Sequence, residues 1–80
     1  MNPRISDVQS LPGHLLKLTF SNGEQKIFDV KPYLLKGIFS QLADERIFNQ
    51  VRPFNGSIIW PNDLDLCPDT LYEESLSINV

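Results

Sequence analysis

Eighty residues are enough for one small domain, spanning 1–80, and leave little room for a deep active site, because so short a chain buries only about 60–65% of its unfolded surface. Hydrophobic residues make up 41% and charged residues 21% of the chain, ordinary globular usage that excludes wholesale disorder. Seven basic against ten acidic residues leave a net charge of -3, the wrong sign for a chain that neutralises phosphates, so the isolated domain is not expected to bind nucleic acid directly.

Ile5 to Ser10 reads as a short strand, and Leu11-Pro12-Gly13-His14 places Pro and Gly where a type II turn needs them. From Leu15 to Phe20 apolar and polar residues alternate, with Leu16, Leu18 and Phe20 on one face of a half-buried strand. Asn22-Gly23 then suggests a two-residue type I′ hairpin, which would set Leu18 opposite Ile27 and Phe28 beside Lys17 on the other face. Simple turn pairing would bring Asp7 beside Leu18, so a bulge or slipped register is expected between the first two strands. After Asp29 the period lengthens: Lys31-Pro32 opens a helical region that Asp29 is placed to cap, and Leu34, Leu35, Ile38, Phe39 and Leu42 recur at helical spacings around Gly37. Asp44 can cap a second short helix through Glu45 to Phe48. Val51 to Phe54, Asn55-Gly56 and Ser57 to Trp60 repeat the hairpin signature, with Val51 opposite Trp60 and Pro53 confining its strand to an edge. The last helix begins near Pro68, where Thr70 and Glu73 have capping-box spacing. Leu76, Ile78 and Val80 alternate with Ser77 and Asn79, so residues 76–80 read as a strand tail on a sheet edge, either the chain's own or a second copy's.

This order, with an Asn-Gly hairpin ending in Phe28-Asp29, then Gly37-Ile38-Phe39 with Leu42, Ile47-Phe48, Ile59-Trp60-Pro61 and Asp65-Leu66-Cys67-Pro68-Asp69-Thr70-Leu71-Tyr72, resembles the bacterial domain of unknown function 2442. The likeness runs from about Val8 to about Glu73, and its Trp-Pro to Asp to Leu-Tyr ending is the most specific part. The resemblance implies a small prokaryotic α+β domain without an established activity. Some relatives look as though they carry a helix-turn-helix segment after this domain, and others are encoded beside small proteins, which points to regulation. The chain departs from the fused relatives by ending at Val80, so a DNA-reading helix would come from a partner.

Few residues invite chemistry. Asp63 and Asp65 would share a strand face and, with Asp69, could offer oxygens to a hard cation. Leu64, Leu66 and Pro68 interrupt any regular ligand spacing, and a turn, the approach to the helix and the first helical turn account for the three acids. Cys67, the single cysteine, has only the distant His14 as a base, and between Leu66 and Pro68 it reads as a small buried hydrophobe. One cysteine and one histidine exclude an internal disulfide and a Cys/His zinc site. Trp60, within Ile58-Ile59-Trp60-Pro61, reads as core with its indole N–H seeking a carbonyl. The polar start and the lack of a run of ~18 apolar residues point to a cytoplasmic chain with no membrane contact.

The expected fold is α+β, a small antiparallel sheet with two or three short helices in the order β-β-β-α-α-β-β-α. No catalytic residue, cofactor or metal is expected. The expected function is a non-enzymatic interaction or regulatory module of a bacterial operon, binding a protein partner or a second copy through Asp63, Asp65, Leu76, Ile78 and Val80. One alternative is a small metal-dependent enzyme or accessory using Asp63, Asp65 and Asp69; another is a transcription-linked regulator that reaches DNA only through a partner.

Overall fold

The computed structural model describes residues 2–78. Strands β1 (Ile5–Leu11) and β2 (Leu15–Phe20) pair antiparallel around Pro12-Gly13-His14, where Gly13 and His14 take φ of 81° and 59°. This three-residue loop pairs Leu11 with Leu15 and Val8 with Leu18. The register then shifts between Ile5 and Asp7, so that Ile5 meets Phe20. The expected irregularity is therefore present, with Ser6 as the extra residue and its hydroxyl donating to the Thr19 carbonyl at 3.1 Å.

The turn between β2 and β3 (Gln25–Asp29) corrects the two-residue reading of Asn22-Gly23. Gly23 N–H donates to Phe20 O and Phe20 N–H to Glu24 O, both at 2.9 Å, so Ser21-Asn22-Gly23 forms a three-residue loop with Gly23 alone at positive φ (90°). That is a turn closed by a glycine bulge, and Asn22 stabilises it by accepting the Glu24 N–H at 3.0 Å. One extra loop residue slides the register by one: Leu18 meets Lys26, Lys17 meets Ile27 and Leu16 meets Phe28. Phe28 thereby joins Leu16, Leu18 and Phe20 on the buried face, and Ile27 moves to the outer one.

The region from Lys31 to Ala43 is two 3-10 segments, Lys31–Leu35 and Gly37–Ala43, in place of regular α-helix. Pro32 has no N–H to give, and Lys36, extended at φ -106° and ψ 105°, divides the two segments just before Gly37 at φ 33°. Bonds from Tyr33 to Val30, Lys36 to Tyr33 and Phe39 to Lys36 all span three residues. A three-residue repeat separates the apolar side chains differently from an α-helical one. Leu42 is fully buried and Tyr33 and Phe39 pack on the core, but Leu35 and Ile38, three apart, stand 92% and 66% exposed. Asp29 accepts the Lys31 N–H at 2.9 Å, so it does serve the start of this region. Helix α1 (Glu45–Phe48) is capped by Asp44, whose carboxylate accepts the Arg46 N–H at 2.9 Å.

A second sheet holds β4 (Arg52–Phe54), β5 (Ser57–Trp60) and β6 (Leu64–Leu66) in that order, so the strands divide between two antiparallel sheets. Here the Asn-Gly reading holds: Asn55 and Gly56 both have positive φ (51° and 78°), Phe54 pairs with Ser57 and Arg52 with Ile59, and Pro53 lies in the edge strand. A 3-10 turn, Pro61–Asp63, returns the chain into β6, a strand the sequence reading did not include. Helix α2 (Pro68–Glu74) follows with Cys67 at its N-cap. Thr70 lies inside this helix, so the expected Thr70/Glu73 capping box does not form; Pro68 in the first turn has already fixed where the helix starts. Strand β7 (Leu76–Ser77) then pairs antiparallel with β3, giving the first sheet the order β1-β2-β3-β7.

The inward faces of both sheets meet in one core. Leu16, Leu18, Phe20 and Phe28 come from the first sheet, Ile58, Trp60, Leu64 and Leu66 from the second, and Leu42, Phe48 and Leu71 from the helical segments. Trp60, 2% exposed, lies near-parallel to the Phe48 ring at 6.2 Å and donates its indole N–H to the Phe48 carbonyl at 3.0 Å. The half-buried His14 bridges a neighbouring gap, its Nε2 lying 2.9 Å from the Leu42 carbonyl and its ring 4.9 Å from that of Phe48.

Candidate interaction surface

Two parts of the molecule carry the residues singled out in the sequence: the edge formed by β7 and the acidic corner around β6. Helix α2 determines where β7 runs. Leu71 buries completely, and the Tyr72 ring meets Phe20 edge-on at 5.0 Å. Lys26 Nζ sits 3.7 Å above the Tyr72 ring and donates to the Tyr72 carbonyl at 2.8 Å. The Tyr72 hydroxyl donates to Glu24 at 2.6 Å and the Tyr33 hydroxyl to Glu74 at 2.8 Å. Both phenols are pushed above their ordinary range, Tyr72 chiefly by its bond to Glu24 and Tyr33 by burial and then by Glu74. Glu24 is held below the usual carboxylate value, first by Tyr72 and then by Asn22.

With α2 fastened to β3 in this way, the chain leaves Ser75, whose hydroxyl donates to the Tyr72 carbonyl at 3.2 Å, and turns back along β3. Leu76 pairs with Ile27 and Ser77 with Lys26, and the Ile78 N–H donates to Gln25 O at 3.2 Å. In an antiparallel ladder alternate residues turn their main-chain groups to opposite sides. Leu76 and Ile78 therefore bond to β3, and the N–H and C=O of Ser77 face the open edge. The expected edge-strand tail thus lies on the chain's own sheet through Ile78; Asn79 and Val80 fall outside the described residues. Leu76 shares a face with Ile27, the outer face of the sheet, and Leu76 and Ile78 remain 75% and 41% exposed. The apolar alternation of the tail is present but it points outward.

The acidic corner does not assemble. Asp63 ends the 3-10 turn at φ 59° just after Asn62 at 67°, and Asn62 donates to Gln41 at 2.8 Å. Asp65 projects from the outer face of β6 opposite Ile59. Asp69 occupies the first turn of α2, where its carboxylate accepts from Asn2 at 3.3 Å beside Glu73 at 3.0 Å. Among the described residues no group of three or more His, Cys, Asp or Glu side chains converges as a metal-ligand set. Cys67 corrects the reading of a buried thiol: Leu64 and Leu66 point inward, Asp65 and Cys67 outward, and Cys67 is exposed. The strand alternation Leu64-Asp65-Leu66 was the signal for both β6 and this outcome.

A family model for proteins of unknown function, DUF2442, matches residues 5–77. The chain belongs to the DUF2442 family. No curated protein and no solved structure matches it. The family match begins at the first residue of β1 and ends at the last of β7, so the edge strand that closes the first sheet lies inside the matched segment.

Proposed function

We propose that this DUF2442 chain is a non-enzymatic interaction module with a regulatory role, which recruits an extended segment of a protein partner to the open side of β7. The observation that supports this reading is the edge itself: Ser77 turns a main-chain donor and acceptor to the open side of β7, without a strand partner there among the described residues, flanked on one face by the exposed apolar side chains of Leu76 and Ile78. Main-chain bonds to such an edge supply affinity, and alternate side chains supply specificity. Any action on DNA would pass through that partner, in keeping with the net charge of -3.

Affinity purification of the tagged chain from its native cell tests the proposal. A protein recovered in stoichiometric amount with the wild type and lost from the Leu76→Asp/Ile78→Asp variant, with the melting temperature preserved, is the expected result. Recovery of a second copy of the chain by the same edge would identify the partner as itself. Equal recovery of the same protein by the variant, or no protein retained by the wild type, would refute the proposed surface.

A further inference from the structure

The outer face of the second sheet, away from β7, carries a groove that neither the proposed partner surface nor the family match assigns. Its floor is set by strand register. Phe54 pairs with Ser57 beside the β4–β5 turn, and Asp65 stands on the neighbouring β6, opposite Ile59. Here a cavity of about 420 Å³ opens, with Arg4, Phe54, Asp65, Leu66 and Cys67 among its walls. That volume lies within the roughly 300–1,000 Å³ range of small-molecule sites.

Arg4 is held in place by its own backbone. Its N–H donates to Ser21 Oγ at 3.3 Å, its carbonyl accepts the Ser21 N–H at 2.7 Å, and the next residue, Ile5, donates to Gly56 O at 2.9 Å. The side chain then lies across Gly56 so closely that a Cβ there would stand 2.6 Å from Arg4 Cδ. The absence of a side chain at position 56 is what lets the guanidinium reach the groove, and it also lines a smaller neighbouring cavity with Asn2, Pro68 and Asp69. Asp65 faces the same cavity from β6, and β5 lies between β4 and β6, so the edge strands are about 9.5 Å apart. The ion pairs among the described residues are Lys31–Asp29 and Arg46–Asp44; Arg4 and Asp65 form none with each other.

A cationic wall and an anionic wall share one cavity without neutralising each other, with the 43% exposed Phe54 ring beside them. A simple anion would meet Asp65 and a chain of net charge -3, and a cation would meet Arg4. A molecule carrying both charges and an apolar group satisfies every wall at once. We propose that this groove binds a small apolar zwitterion, a free α-amino acid or a dipeptide. Its carboxylate lies on Arg4, its ammonium on Asp65 and its apolar group against the exposed Phe54 ring.

Cys67, the single cysteine, lines the cavity and is exposed, so its alkylation by iodoacetamide reports occupancy. L-phenylalanine is expected to slow alkylation saturably. N-acetyl-L-phenylalanine, which lacks the ammonium, and L-phenylalaninamide, which lacks the carboxylate, should each protect with affinity about tenfold weaker or worse, the effect of losing one charge-assisted bond. Asp65→Asn and Arg4→Gln should weaken protection by L-phenylalanine to a similar degree. Stronger protection by glycyl-phenylalanine than by phenylalanine would support the site and assign its ligand to short peptides. No saturable protection by either probe, equal protection by the blocked forms, or an Asp65→Asn chain that binds like wild type would overturn the proposal. Asp65 is exposed and outside the core, so that variant remains informative if Arg4→Gln fails to fold.

Discussion

Replacing Trp60 by Phe tests how the two sheets are held together. The indole is 2% exposed and its N–H donates to the Phe48 carbonyl at 3.0 Å, which also receives the Val51 N–H at a longer 3.3 Å. Phe at this position leaves that carbonyl with only the weaker donor, a loss of about 1 kcal/mol. It also leaves part of the indole volume empty beside Phe48, for about a further 1–2 kcal/mol in lost burial and void. The total, about 2–3 kcal/mol, is a large share of the roughly 4–12 kcal/mol expected for 80 residues. Urea unfolding followed by far-UV circular dichroism measures it, since the substitution removes the single tryptophan. Leu35→Ala, at a side chain 92% exposed, is the control and should change stability by under about 0.5 kcal/mol. A Trp60→Phe midpoint within about 0.5 kcal/mol of wild type would refute the role assigned to the indole.

Gly56→Ala should destabilise by about 1–2 kcal/mol or more, because φ is 78° there and the new methyl meets Arg4 Cδ; an unchanged thermal midpoint would contradict that geometry. Glu24 and Asp44 are both held below their ordinary values of 4.5 and 3.8, Glu24 mainly by the Tyr72 hydroxyl and Asp44 by the Arg46 side chain. Carboxyls depressed in the folded state stabilise it fully above the unfolded values and lose that contribution as pH falls through the folded ones. The melting temperature should therefore drop on acidification below those ordinary values, and Glu24→Gln should flatten the drop; an identical pH profile for the variant would argue against the Tyr72–Glu24 bond. Calcium, magnesium, zinc and a chelator should all leave the melting temperature unchanged, whereas a rise of several degrees with metal, reversed by chelation, would show that Asp63, Asp65 and Asp69 come together in solution.

The legibility of the fold differed between two copies of the same dipeptide. Asn55-Gly56 gave the correct register because both residues take positive φ. Asn22-Gly23 did not, because the Asn22 side chain accepts the Glu24 N–H and only Gly23 turns left-handed. The added loop residue buries Phe28, and that gain depends on packing partners such as Tyr33 that a local pattern does not identify. Asp44 capping, Trp60 burial and the edge position of Pro53 were readable because each follows from one residue's own chemistry. Leu35 and Ile38 were not, since their exposure follows from a switch to three-residue turns that Pro32 and Gly37 impose together. At the candidate surface, the alternation through Ile78 marked an edge strand but could not say which face it would present. The Arg4 groove was invisible in sequence, because it joins residues more than fifty positions apart through contacts of two sheets.

Amide hydrogen exchange at Leu76, Ser77 and Ile78 in the isolated chain tests the open edge most directly. Leu76 and Ile78 donate toward β3 and should exchange slowly, while the Ser77 amide, turned to the free side of β7, should exchange at nearly the unprotected rate. Rapid exchange at all three would mean the strand is not formed, and protection of Ser77 equal to that of its neighbours would mean the edge is already closed; either result would contradict a free edge waiting for a partner.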